Sequence, residues 1–175
     1  MKEFLNDVER LREQSRDEKD RRIAHLGSES ATSILVLNQA LALHMVCVLR
    51  HMRHFVTADR FDSRTVAHEF LEHTVRESEH SDLIVARIRQ LGGEPTFERN
   101  SERGRGQFAC DSLSEFEEFI RHDLLAEHVV VSMYGELIES LAESDVTSRQ
   151  LLGQILSLEE EHAEVMLNFV AVVVD

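Results

Sequence analysis

Residues 66–93 read VAHEFLEHTVRESEHSDLIVARIRQLGG. Val66, Phe70, His73, Glu77, His80, Ile84, Ile88 and Leu91 recur at steps of three and four, the spacing that lines one face of a helix. That face is mostly apolar and so faces a core, yet Glu77 and His80 interrupt it. Three residues apart on a helix, a carboxylate and an imidazole project toward a common point. Gly92-Gly93 ends the helix and Pro95 follows the stop. The same Glu-x-x-His tetrad returns at Glu159-Glu160-Glu161-His162. Two tetrads in a chain with ten histidines are about what chance supplies, so their placement has to decide. Two facing helices that each carry one, inside a four-helix bundle, are the framework of a carboxylate-bridged dinuclear metal site.

The rest of the chain supplies the other helices. From Ser28, an N-cap, a first long helix runs to about Ala58, with Ile34, Leu37, Leu41, His44, Val48, His51 and Phe55 on its seam. The quoted helix begins after Asp62. Residues 92–111 form a long polar connection, and Ser112-Leu113-Ser114-Glu115 is a capping box opening the third helix. That helix has Phe116, Ile120, Asp123, Glu127, Val130, Tyr134 and Leu141 inward. The fourth follows Ser144-Asp145 and turns Leu152, Ile155, Glu159, His162, Met166 and Phe169 inward. Two short links and one long crossover predict an all-α four-helix bundle over residues 28–175. Residues 1–27, with a small stripe of Phe4, Leu5, Val8 and Leu11 and then charged throughout, read as an N-terminal helical extension outside it.

Composition agrees with one helical domain: 42% hydrophobic, 30% charged, one proline and seven glycines in 175 residues. A net charge of −14 argues against a nucleic-acid binder, whose footprint is a clustered basic patch. No signal peptide is visible, and Phe169–Val174 is far short of a membrane span, so no membrane partner is expected and the expected location is cytoplasmic. Cys47 and Cys110 are too few for a secreted disulfide scaffold.

The two halves of the chain match in register. Glu127 precedes Glu159 by 32 residues, and His44 precedes Glu77 by 33. Each half thus offers one polar residue in an apolar seam, then a Glu-x-x-His on the next helix. Carboxylates buried without a partner cost several kcal/mol each, which a bound cation offsets. Arg50, Arg53 and Arg121 lie off the seams, so no cationic side chain is expected at that depth. The alternative is a polar core layer of paired Glu, His and Arg with no metal.

Residues 37–44 (LNQALALH), Glu77-Ser78-Glu79-His80-Ser81-Asp82, residues 88–95 (IRQLGGEP), residues 123–127 (DLLAE) and the tetrad at 159–162 resemble, in register, the motifs of the bacterioferritin and Dps-like branch of the ferritin superfamily. The resemblance spans roughly residues 35–170. It implies a ferritin-like bundle in which Glu77 and Glu159 bridge two metals, His80 and His162 are terminal ligands, and Glu127 is the terminal carboxylate of the second metal. His44 stands where the family has the terminal Glu of the first. With three carboxylates and three imidazoles, two divalent ions are compensated by −3 rather than −4, and neutral imidazole suits Fe, Zn, Ni or Cu; the implied alternatives to Fe are other divalent metals such as Zn or Mn. The alternative for His44 is a core histidine hydrogen-bonded to Glu77 or Glu159.

The implied cofactor is two Fe ions. The haem-ligating Met of the family is replaced by Ser78, so no haem is expected. His51 stands where bacterioferritins carry a tyrosine, and His73 is expected beside the ligands. His54, with His25, His68, His122 and His128, is expected on the surface or flank. The implied function is a ferroxidase oxidising Fe(II) with O2 or H2O2 for iron storage or detoxification. The implied assembly is a homo-oligomeric cage, twelve chains favoured over twenty-four because no fifth helix follows. The competing function is a metal-binding or structural oligomer without turnover.

Overall fold

In a computed structural model the described residues are 29–61, 63–96 and 113–173, all helical or in short links, with no strand among them. The four helices are α1 (Glu29–Arg60), α2 (Arg64–Gln90), α3 (Leu113–Ser140) and α4 (Val146–Val173). The predicted extension, the Ser28 and Ser112 caps and Cys110 lie outside the described residues.

The closest packing is α1 on α2 and α3 on α4, with α1 also against α3 and α2 against α4. His44 of α1 meets Tyr134 of α3, while His54 further along α1 meets Asp123 earlier in α3, so the two helices run antiparallel. His80 and Arg87 of α2 reach Glu159 and Asp145 of α4 in the same antiparallel sense. A helix as long as α2 rises about 40 Å, and α2 ends at the opposite end of the bundle from the start of α3. Opposite placement of these two helix ends is what the predicted crossover requires.

Local chemistry sets the helix ends. Past α2, Gly92 adopts φ +77°, a conformation that costs other residues a steric penalty. Its N–H donates to Arg89 O and that of Gly93 to Ile88 O, which closes the helix in a Schellman motif. Gly93 also lies so close to Ile34 that a Cβ there would stand 2.8 Å from the isoleucine side chain. At the start of α4, Asp145 Oδ1 accepts from the Ser148 N–H at 3.1 Å and from Arg87 at 2.8 Å, pinning that end to α2.

Two apolar clusters fill the interior. Leu37, Leu41, Ile84, Ile88, Val130, Leu152 and Ile155 belong to the larger; Ala58, Val66, Phe70, Ile120 and Met166 belong to the smaller. A layer of buried ionisable side chains lies between them. On α1 the buried stripe runs through Leu37, Leu41, His44, Cys47, His51, His54 and Ala58, whereas Val48 and Phe55 are only half-buried. From Leu37 to Ala58, 21 residues in six steps, the stripe keeps the 3.5-residue spacing of a bundle seam, with Cys47 and His54 inward in place of Val48 and Phe55. One 18-residue window of α1 has a mean hydropathy of 1.8, long and apolar enough to cross a membrane, against the expectation of no such run. Half of that window is buried against the other helices, and apolarity is what burial in a bundle core requires.

Candidate metal centre

The layer draws on all four helices. His44, Glu77, Glu127 and Glu159 are fully buried, and His80 and His162 nearly so. One group, His44, Glu77, His80 and Glu159, brings a ligand atom from each residue within 4.8 Å of all the others, and a second does the same with His51, Asp123 and Glu127. His80 Nδ1 lies 3.0 Å from Glu159 Oε1, and His162 Nδ1 lies 3.6 Å from Glu159 Oε2. The structure therefore gathers the six sequence-predicted residues into one layer, with Glu127 drawn toward the second group.

The two expected bridging carboxylates are in opposite protonation states. Burial, helped by the charge of Glu159, pushes Glu77 from the usual 4.5 up to about 8, so it is protonated at neutral pH. Burial would raise Glu159 too, but the imidazoles of His162 and His80 outweigh it and hold that carboxyl well below the usual range. A protonated and an ionised carboxyl facing each other are how a buried pair avoids two adjacent charges.

His44 is fully engaged. Its Nδ1 meets Glu77 Oε2 and its Nε2 meets the hydroxyl of Tyr134, itself buried. Burial lowers His44 from 6.5 to about 4, so the ring is neutral. With Glu77 protonated, its O–H donates to Nδ1 and the ring Nε2–H donates to the Tyr134 oxygen. The hydrogen bond to Glu77 expected of a core histidine is thus present. Tyr134 is a partner that the seam placed inward without pairing it.

Arg50 corrects the sequence reading. Predicted to lie off the seam, it is buried, with Nε 3.1 Å from Asp123 Oδ1 and Nη2 against Glu127 Oε1. Its aliphatic stem lies along the helix flank and carries the guanidinium inward. His51 Nε2 is 2.9 Å from the same Glu127 oxygen. His54 is corrected likewise: it is buried, with Nδ1 2.9 Å from Asp123, and not on the flank. Burial would raise Asp123, but Arg50 and then His54 outweigh it, and the carboxyl is held well below its usual range. His73 is buried as expected, its ring stacked 4.6 Å from that of His162. Burial, with His51 and His162 nearby, lowers it to about 3. His68 and His128 are exposed, as predicted, and His25 and the side chain of His122 lie outside the described residues. Cys47 is buried and packs in the larger apolar cluster. Ser78 donates its hydroxyl to Thr74 O.

The satisfied contacts make the unsatisfied ones informative. Glu77 Oε1 and Glu127 Oε2 are buried and have no hydrogen-bond partner among the described residues, and Glu159 Oε2 and His162 Nδ1 have only each other, at 3.6 Å. All four belong to residues the sequence assigned as ligands, and His51 Nδ1, His73 Nδ1 and Gln39 Nε2 share the same state without that assignment. Orphaned buried acceptors are rare because each forfeits its hydration. In a buried layer, carboxylate oxygens of Glu77 and Glu159 with the imidazoles of His44 and His80, each offering a ligand atom within 4.8 Å of the others, fit a divalent cation.

The sequence model of the Ferritin-like domain family matches residues 34–172. The chain belongs to the ferritin-like family. Among curated relatives, this ferritin-like chain is 26% identical over 135 residues to the bacterioferritin of Rhodobacter capsulatus, covering 77% of this chain and 80% of that one. It is also 26% identical over 133 residues to a bacterioferritin of Desulfovibrio desulfuricans, covering 75% and 70%. Among solved structures, the Rhodobacter capsulatus bacterioferritin, described with a metal-free dinuclear site and a haem iron, superposes with a TM-score of 0.69 at 24% identity over 81% of this chain and 85% of that one. The Desulfovibrio desulfuricans protein, described with a diiron site in different catalytic states, superposes with a TM-score of 0.71 at 22% identity over 83% and 84%. These likenesses establish the ferritin-like fold independently of the loop lengths.

Proposed function

We propose that this chain is a ferritin-like ferroxidase: it binds two iron ions in the polar layer and oxidises Fe(II) with O2 or H2O2, for storage or detoxification of iron. The observation that carries the reading is the set of orphaned atoms on Glu77, Glu127, Glu159 and His162. Glu77 and Glu159, on helices α2 and α4, would hold both ions between them. His80 and His162 are terminal imidazoles, and Glu127 is the terminal carboxylate of the second ion. His44 joins as a ligand by exchanging its bond to Glu77 or to Tyr134.

When bound, iron supplies the redox chemistry, each Fe(II) giving up one electron to the oxidant. The chain supplies the rest. Glu77 gives up its proton on binding, Glu159 is already ionised, and the apolar clusters on either side keep bulk water from the layer. Bacterioferritin relatives support this reading, and a cage of twelve chains is the proposed assembly.

The test is oxygen consumption by purified protein given Fe(II) anaerobically and then exposed to O2. Consumption well above that of a Glu77→Ala, Glu159→Ala double variant supports the ferroxidase. Equal, background consumption in both would leave a metal-binding ferritin-like protein without turnover.

A further inference from the structure

The two ends of the polar layer differ in charge. At one end, Glu77 and Glu159 face each other and the imidazoles of His44, His80 and His162, and no Lys or Arg pairs with either among the described residues. At the other end, the Arg50 guanidinium binds Glu127 Oε1 and lies 3.1 Å from Asp123. Arg50 is 8% exposed and Asp123 2%. A guanidinium keeps its charge under all ordinary conditions. It therefore stands permanently across one carboxylate from any ion that takes the other, orphaned oxygen of Glu127.

Resting on the metal-site reading above, we propose that Arg50 is an internal counter-cation that makes the two metal positions unequal. A first divalent transition-metal ion binds at the Glu77–Glu159 end. A second binds at the Glu127 end only against the repulsion of the guanidinium. Arg50 is a positioning residue: it fixes Glu127 so that Oε2 faces the layer, and it neutralises Glu127 and Asp123 while the second position is empty. In a low-dielectric interior a fixed positive charge one carboxylate away weakens a divalent ion's binding on the order of 100-fold or more.

The experiment is a titration of metal-free wild-type protein with Co(II), followed by its visible absorption and by calorimetry. Wild type is expected to bind two ions in resolved steps, the second on the order of 100-fold more weakly than the first. Arg50→Met removes the charge and keeps the stem, and should close most of that gap. Arg50→Lys keeps the charge and should keep the gap. The metal-induced rise in the urea midpoint should be larger for Arg50→Met than for wild type, a change that a merely structural arginine would not produce. Two equal steps in wild type, or an unchanged ratio in Arg50→Met, would overturn the inference while leaving the metal site intact. No Co(II) bound by wild type would overturn the metal-site reading itself. Should Arg50→Met fail to fold, the wild-type step ratio and the Arg50→Lys titration still decide.

Discussion

On the proposed metal-site reading, a carboxyl that holds a cation is a burden to the protein when the cation is gone, and Glu77 allows that burden to be measured. It is fully buried, and its proton is retained up to about pH 8 against an ordinary value of 4.5. At pH 7 the unfolded chain carries Glu77 ionised and the folded chain carries it protonated. Putting that proton on at pH 7 costs folding about 3 kcal/mol. Glu77→Gln has the shape of the protonated acid, and its amide N–H can donate to His44 Nδ1 in place of the carboxyl O–H. The substitution should therefore stabilise the metal-free protein at pH 7 by about 1–3 kcal/mol, the lower value allowing for imperfect amide geometry. The assay is urea unfolding after chelation, at fixed protein concentration because assembly would make the midpoint concentration-dependent. In excess Co(II) the order should reverse, since wild type gains at least about 2.7 kcal/mol at a hundred times its Kd and the variant gains far less. A Glu77→Gln protein that is less stable than wild type without metal would refute the reasoning. It would mean that Glu77 is held for its bond to His44 and not for a cation.

Two further outcomes follow from the same layer. Between pH 6.5 and 8 the folded metal-free protein holds the Glu77 proton that the unfolded chain has lost, so stability should fall with rising pH by about 2 kcal/mol. Below pH 6.5 the neutral, buried His44 and His73 oppose this, because the unfolded chain binds protons that they refuse and stability rises with pH. Unfolding of chelated protein across pH 5–8.5 should thus show a maximum near 6.5, with the alkaline decline missing from Glu77→Gln. Tyr134→Phe leaves His44 Nε2 without its partner in the dry core and should cost the metal-free protein about 1–3 kcal/mol. Bound Co(II) should recover part of that loss as His44 turns toward the ion, read as a larger metal-induced midpoint rise than in wild type.

Much of the fold was legible because its determinants are local. The seams of α2, α3 and α4, the Gly92-Gly93 stop and the loop lengths each follow from short-range chemistry, and the helix order follows from them. That the six candidate residues would share one layer was legible from register, since an interval of about 32 residues brings residues of paired helices to equal depth. Arg50 was missed because helical periodicity tracks where a Cβ points, whereas a long side chain on the flank can curl its charge inward. His54 was missed by choosing Phe55 for the seam: both positions fit alternating steps of three and four, and only packing against the other helices decides between neighbours one residue apart. Tyr134 was placed inward, but its bond to His44 joins residues 90 positions apart and depends on the antiparallel depth of α1 against α3. No single-helix pattern carries that.

Whether the polar layer exists to hold cations is measured most directly by anomalous diffraction from a crystal loaded with Fe(II) without oxygen. Iron scattering between α2 and α4, in contact with Glu77 and Glu159 and with Glu77 turned from His44, is the predicted result. An iron-free layer in the loaded crystal, with the Glu77–His44–Tyr134 hydrogen bonds intact, would contradict it.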